Sequence, residues 1–247
     1  MKKLFPQMMD CMSGGHIFCS FAMWVLIFIV IPAWLPLIGE GFLQDETALS
    51  WMETVFCALT GGALLLIMKE HLSDAFLGLQ INSKKILKTA LTTLAIMAAW
   101  FIICADLMNL LGMDPMFLVE LLPLSPTNIL MLPGAIVNAN PVFGLLCMTL
   151  LVPFGVCGMF YAAAFAPVCT RNTWAGYLVM AGVVLVAALF DGFWYWGTEL
   201  ALVAYMVRLP LHLVACWSYQ KTDNVWTPIF ALIGFNLLTS IAAIAIF

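Results

Sequence analysis

The sequence predicts an all-α polytopic membrane protein, a transmembrane helical bundle of seven to eight membrane helices that includes a proline-broken re-entrant or interfacial segment. Hydrophobic residues make up 64% of the 247 residues, charged residues only 9%, and the mean hydropathy is +1.07. A soluble globule needs more polar groups than this to cover its surface. Apolar runs of roughly 20 residues, the length that crosses a bilayer as a helix, recur along the chain. We therefore predict one integral membrane domain over residues 1–247.

Seven apolar segments are predicted to cross the membrane as helices, because each is long enough to span the hydrocarbon core. They are residues 17–38, 48–68, 86–112, 142–168, 174–190, 200–219 and 225–247.

The segment between the third and fourth predicted crossings differs from the others. Residues 114–141 are apolar but are broken by Pro115, Pro123, Pro126, Pro133 and Pro141. Each proline removes a backbone donor and disturbs the preceding turn. Broken backbone at membrane depth must be buried in protein. We therefore predict a re-entrant or interfacial hairpin here.

The basic residues predict the orientation, because cytoplasmic connections attract Lys and Arg. With seven crossings and a cytoplasmic N-terminus, every Lys and Arg except Arg208 falls on the cytoplasmic side. The opposite connections, residues 39–47 and 191–199, contain acids and no base. We expect the protein in a bacterial cytoplasmic (inner) membrane with its N-terminus inside.

Other motif classes give no signal. The 8 cysteines lie mostly in apolar segments and form no C-x-x-C pair, so we interpret them as small buried hydrophobes. The chain has no phosphate-binding glycine loop, no H-E-x-x-H and no G-x-S-x-G. With a pI of about 5.2 and no basic stripe, the sequence excludes nucleic acid as a partner. We predict neither a metal nor a cofactor.

A phrase near the C-terminus carries a family resemblance. Residues 219–229 read Tyr-Gln-Lys-Thr-Asp-Asn-Val-Trp-Thr-Pro-Ile, and an apolar helix with Asn236 follows. The phrase resembles Tyr-x-(Lys/Arg)-Thr-Gly-Ser-(Leu/Ile)-Trp-x-Pro-Ile, which precedes the last motif of the CPBP family, the CAAX proteases and bacteriocin-processing enzymes also called Abi. The resemblance covers residues 142–247 as a CPBP-like core. It implies an intramembrane endopeptidase fold and favours eight helices in some form.

The positions of the family's catalytic residues hold other side chains in this chain. The family shows Glu-Glu-x-x-x-Arg, Phe-x-x-x-His and His-x-x-x-Asn/Asp motifs on membrane helices. The resemblance aligns Val156 and Cys157 with the two glutamates and Tyr161 with the arginine. It aligns Trp194 and Leu232 with the two histidines and Asn236 with the asparagine. A general base must accept a proton, which valine, tryptophan and leucine cannot do. Cys157 as a nucleophile needs a base in reach, and His212 is the one histidine on a relevant predicted helix.

Ionisable residues inside or at the ends of predicted crossings are functional candidates, because such groups normally face the protein interior or a water-filled cavity. The set is Glu53, Asp106, Asp191, Glu199, Arg208 and His212, and the last five are the candidate binding residues. Arg208 and His212 are four apart and share one helix face, whereas His71 falls in a predicted charged connection. Two interpretations stay open. In the first, Arg208 pairs with Glu199 or Asp106 and stabilises helix packing, while Asp191 and Glu199 lie in water at the outer edge. In the second, these groups line a cavity that binds a lipid headgroup, a peptide tail or a partner helix.

The sequence therefore favours a catalytically inactive CPBP-like protein, although it leaves enzymatic activity open. We expect a membrane-embedded subunit or scaffold that contacts membrane lipid and binds another membrane protein, a peptide or a lipid. One alternative is an active intramembrane hydrolase with a relocated site such as Asp106, Glu199 and His212. A transporter is the third hypothesis, and it needs paired broken helices, for which residues 114–141 are the one candidate.

Overall fold

The computed structural model describes three continuous stretches, residues 65–112, 152–191 and 198–246, and the single positions 14, 15, 18, 19, 22, 59, 62, 63, 146, 149 and 150. The helices are α1 (Lys69–Leu110), α2 (Val152–Val156), α3 (Ala166–Cys169), α4 (Thr173–Asp191), α5 (Thr198–Thr222) and α6 (Trp226–Ile246). A π-helical segment, Cys157–Phe165, joins α2 to α3. Every regular element within these stretches is helical, which confirms the predicted all-α class.

The C-terminal helices agree with the predicted apolar segments. α4 and α6 differ from the predictions at residues 174–190 and 225–247 by one residue at each end. α5 extends the prediction at 200–219 by a few residues and continues through Pro210. Most of the predicted crossings at 17–38 and 48–68 lies outside the described residues. The whole of the predicted hairpin at 114–141 also lies outside them.

Two helices in the described part, Lys69–Leu110 and Ala201–Thr222, are long and apolar enough to cross a membrane by length and composition. The other apolar helical stretches, Pro153–Cys169, Thr173–Leu189 and Trp226–Thr239, are shorter, at 10–17 residues. The total of seven to eight crossings stays a prediction.

The predicted connection between residues 68 and 86 is wrong, because α1 already begins at Lys69. Met68, Leu72 and Ala75 are buried at helical spacing in this region, whereas Lys69 and the acidic residues that follow it face outward. Helical spacing places apolar and polar residues on opposite sides of one helix. The charged residues therefore belong to the exposed side of a helix that docks on the protein.

α1 bends at Asn82, whose backbone angles (φ −116°, ψ 27°) are not helical. Ala75 contacts Asn224 before α6, and Phe101 contacts Phe235 within α6. A straight helix from Ala75 to Phe101 would span about 39 Å, whereas Asn224 to Phe235 spans about 16 Å at the same rise per residue. The two parts of α1, residues 69–81 and 83–110, therefore have different axes.

The second part of α1 packs along α5 and α6. The indole of Trp100 donates a 2.9 Å hydrogen bond to the carbonyl of Val207. Pro210 has no backbone N–H, so the carbonyl of Met206, four residues before it, lacks its helical donor, and the indole binds the next carbonyl along the helix. On α6, Gly234 lets the Leu94 side chain approach closely. A Cβ added at Gly234 would lie 2.8 Å from Cδ2 of Leu94.

Three exposed basic residues lie at one end of the described helices. The carboxamide of Gln220 contacts Thr173 and the hydroxyl of Tyr177, which places the connection before α4 beside the end of α5. His71 contacts Tyr219 at the same end. Since each lies next to these contacts in sequence, Lys69, Arg171 and Lys221 share this end. Asp106, Asp191 and Glu199 lie toward the opposite helix ends.

Replacing Gly176 by alanine should destabilise the protein, because α4 crosses α3 at this glycine. A Cβ there would lie 2.7 Å from the Cβ and 2.9 Å from the Cα of Cys169. Forcing extra atoms into a packed contact costs about 1–3 kcal/mol. Gly182 on the same helix is the control, since nothing lies within 4 Å of its added Cβ. We expect a lower thermal unfolding midpoint for Gly176→Ala and an equal or higher one for Gly182→Ala. Equal losses in the two variants would contradict the close approach.

Candidate functional site

The residues at the family's catalytic positions lie in the buried core. Val156 ends α2, Cys157 and Tyr161 belong to the π-helical segment, and Leu232 and Asn236 lie one turn apart on α6. The first four are 0% exposed and Asn236 is 3% exposed. Val156, Cys157, Tyr161 and Leu232 belong to one hydrophobic cluster. Trp194 lies outside the described residues.

These positions are closed to water. A side chain with no accessible surface touches neither bulk solvent nor an internal space that holds a water molecule, because a water-sized probe finds no room against it. Val156, Cys157, Tyr161 and Leu232 each meet this condition. The four positions that the CPBP resemblance assigns to catalysis are therefore packed against other side chains, with no room for a water molecule beside them.

The segment that carries Cys157 and Tyr161 is π-helical over nine residues, Cys157–Phe165. Its end shows the wide spacing directly, since the backbone N–H of Ala166 donates to the carbonyl of Tyr161, five residues before it. Longer π-helical stretches are rare, because most occur as single turns inserted in an α-helix. The wider turn changes which side chains share a face, and it directs Phe160 and Tyr161 toward α5.

Tyr161 and His212 form a buried polar pair. The Tyr161 hydroxyl and the His212 Nδ1 are 3.0 Å apart and share a hydrogen bond. The Phe160 ring meets the imidazole edge-on, with centroids 5.3 Å apart. Arg208 lies one turn earlier on α5 and is also buried, at 5% exposure. The side chain at the family's arginine position thus forms a hydrogen bond inside the core.

Cys157 and His212, the pair that a cysteine nucleophile would need, both lie in the buried core. Cys157 is buried as a free thiol, and a thiol reacts only when a nearby group promotes its deprotonation. The Nδ1 atom of His212 is already bonded to Tyr161. The imidazole is therefore engaged in holding the phenol.

The predicted binding residues divide between core and surface. Arg208 and His212 are buried on the shared face that their spacing predicts, whereas Asp106 is exposed on α1. Asp191 ends α4 and Glu199 lies in the first turn of α5, and both side chains lie outside the described part. Among the described residues, no group of three or more His, Cys, Asp or Glu side chains is arranged to hold a metal ion.

The family-like phrase forms the turn between α5 and α6, and this turn binds the first part of α1. The Tyr219 hydroxyl lies 3.2 Å from Nε2 of His71. The Asn224 amide donates to the Ala75 carbonyl at 2.8 Å, and the Trp226 indole donates to the Leu72 carbonyl at 3.2 Å. The phrase therefore has a structural role in this chain.

Local bonds shape the turn itself. The hydroxyls of Thr222 and Thr227 are 2.7 Å apart across it. Asp223 adopts the left-handed region, with φ of 53°, which asparagine and aspartate tolerate better than most residues. Asn224 caps α6, since its Oδ1 accepts the backbone N–H of Trp226 at 2.9 Å. One side chain therefore both starts α6 and binds α1.

Sequence reasoning missed His71 and Asn224. His71 falls in the segment predicted as a connection, although it is 3% exposed and helical. The helical spacing of Met68, Leu72 and Ala75 is the signal that identifies this helix. Asn224 has a recognisable signal, because asparagine is a preferred cap just before an apolar helix.

The fold and the buried cluster define an all-helical protein in which two of the described helices are suited to crossing a membrane. Compared with profiles of known protein families, with curated proteins and with solved structures, the chain shows no match. The CPBP resemblance therefore stands on the residues quoted for it.

Replacing Asn224 by alanine should cost more stability than removing an ordinary helix cap. The variant loses both the cap of α6 and the bond to the Ala75 carbonyl. Asn172 is the matched control, because its Oδ1 accepts the Ala175 N–H at the start of α4, and the residue is exposed. A cap is worth about 1 kcal/mol, and the second bond adds about 1 kcal/mol. Unfolding in a denaturing detergent measures both losses, and equal losses would contradict the contribution of the bond to α1.

Tyr161 and His212 should be energetically coupled. Tyr161→Phe, His212→Leu and the double variant form a double-mutant cycle, and the single variants each leave a buried partner without its bond. We expect a coupling of about 1 kcal/mol in the free energy of unfolding. Additivity to within about 0.3 kcal/mol would show that the 3.0 Å contact contributes nothing.

Proposed function

We propose that the protein is an integral membrane protein with a CPBP-like core that acts without proteolysis, as a membrane-embedded subunit that binds a partner membrane protein. One observation carries the proposal. Val156, Cys157, Tyr161 and Leu232, at the positions that the resemblance assigns to catalysis, lie together in the core and are 0% exposed. A chain with CPBP-like helices and apolar groups at the catalytic positions would lack the catalytic groups but could still bind a partner protein through its helices.

The chemistry of the cluster supports the absence of hydrolysis. Hydrolysis within a bilayer needs a water molecule, a base that takes its proton and groups that stabilise the developing charge. Val156 and Leu232 offer none of these. His212 is bonded to Tyr161, and neither residue offers more than 3% of its surface to solvent.

The charge distribution supports the proposed location in a bacterial cytoplasmic membrane, with the N-terminus inside. Lys69, Arg171 and Lys221 gather at one end of the described helices and are exposed. Asp106, Asp191 and Glu199 lie toward the other end. Basic residues concentrate on the cytoplasmic side of membrane proteins, so the end with Lys69 is assigned to the cytoplasm.

The outer side of α4 is the surface that we propose for contact with another membrane protein. The exposed side of α4 is apolar along its length, with Trp174, Leu178 and Val186 at helical spacing and exposed. The positions that the resemblance assigns to catalysis are buried and leave no room for a small molecule. We therefore assign partner binding to outer faces such as this one. Association between membrane helices relies on close packing of these faces.

Purification from native membranes in a mild detergent tests the proposal. We expect the chain to elute with a second membrane protein at a fixed stoichiometry, and we expect no cleavage of membrane peptides above the level of a Cys157→Ala/His212→Ala variant. A solitary, monodisperse chain that cleaves membrane peptides, and loses the activity in either single variant, would overturn it.

A further inference from the structure

A groove opens where the first part of α1 meets α2 and α6. It has a volume of about 420 Å³ and is lined in part by Lys69, Leu72, Ser73, Phe76, Phe154 and Trp226. This volume lies within the range that small-ligand sites occupy. Because three helices contribute, the groove is built by the tertiary fold.

The groove has one positively charged end. Lys69 and Ser73 are four residues apart and share a face of α1. Glu70 and Asp74 are each one position further along, about 100° around the helix, and neither lines the groove. An ammonium and a hydroxyl therefore line this end of the groove, and neither carboxylate does. This combination suits a phosphate group.

The remainder of the groove is an aromatic wall. Trp226 meets Phe76 edge-on at 6.1 Å and Phe154 at 5.8 Å between ring centroids. Its indole is held by the carbonyl of Leu72, so the wall is fixed in position. Tryptophan is typical of the membrane interface, where its ring lies at headgroup level. An acyl chain fits an apolar surface of this kind.

We propose that this groove binds an anionic membrane lipid, with the headgroup phosphate at Lys69 and Ser73 and the upper acyl chain against Phe76, Phe154 and Trp226. The proposal rests on the proposed membrane location and orientation, which put this end at the cytoplasmic interface. It is independent of whether the protein binds a partner subunit. A lipid is favoured over a free anion because most of the lining is apolar and aromatic.

Two lysines elsewhere on α1 provide the matched control. Lys84 and Lys88 flank another groove on α1, whose described lining comes from one face of that helix and holds aliphatic side chains. General attraction of anionic lipid to lysines would affect both grooves alike. A specific site at Lys69 would lose lipid affinity only when Lys69 is replaced.

Native mass spectrometry of the full, delipidated chain in detergent tests the site. The chain is titrated with phosphatidylglycerol, with phosphatidylcholine of the same acyl chains, and with inorganic phosphate. We expect tighter binding of phosphatidylglycerol than of phosphatidylcholine. Lys69→Gln should lower the affinity for phosphatidylglycerol about fivefold, which is the contribution of one lysine. Lys88→Gln should leave that affinity unchanged. Phe76→Ala should lower the affinity for both lipids, because the proposed site places the acyl chain against Phe76.

Three outcomes would overturn the proposal. Equal losses in Lys69→Gln and Lys88→Gln would show general surface attraction. Displacement of the lipid by millimolar inorganic phosphate would show a free-anion site. Equal binding of both lipids by the wild-type chain would show that the headgroup charge is not recognised. Lys69 and Lys88 are exposed, so these variants should fold, and none of the outcomes depends on partner binding.

Discussion

The turn between α5 and α6 holds the first part of α1 through three hydrogen bonds, and the arrangement of the described helices depends on them. Two of the bonds use main-chain carbonyls of α1, from Leu72 and Ala75, and the third joins His71 to Tyr219. Because the same turn ends α5 and starts α6, it fixes three helices at one point. The bend at Asn82 then allows the rest of α1 to pack along α5 and α6. Buried polar bonds of this kind define one arrangement, because each leaves a costly group exposed to apolar surroundings if it breaks.

The core beside this turn explains why the protein is proposed to bind rather than to cleave. A hydrolytic centre has to keep polar groups and water at the heart of the bundle. Here the centre is packed with Val156, Cys157 and Leu232, and two of its polar residues, Tyr161 and His212, bond to each other. Replacing a solvated site by apolar side chains favours stability over chemistry, because native packing is dense. The proposed recognition surfaces are the outer helix faces and the groove beside Trp226.

The sequence predicted α4 and α6 well, because long apolar runs with polar ends have one simple interpretation in a membrane. It failed at residues 69–85, where Lys69, Glu70 and Asp74 suggested a loop although they occupy only the exposed side of a helix. The π-helical turns at Cys157–Phe165 leave no trace in the pattern, since nearly all of these residues are apolar. Arg208 and His212 were placed on one face by spacing alone. The pairing of Tyr161 with His212 joins residues 51 positions apart, so only the tertiary fold reveals it.

The accessibility of the Cys157 thiol tests the central claim, that the family's catalytic positions are closed to water, most directly. Membranes that contain the folded protein are treated with a small permeant maleimide, and labelling is located by peptide mass spectrometry before and after denaturation. A Lys221→Cys variant, at an exposed position beside the turn, reports full access. The account predicts rapid labelling at position 221 and none at Cys157 until the protein unfolds. Labelling of folded Cys157 at a rate close to that of position 221 would mean that a water-filled cavity exists there, and would contradict it.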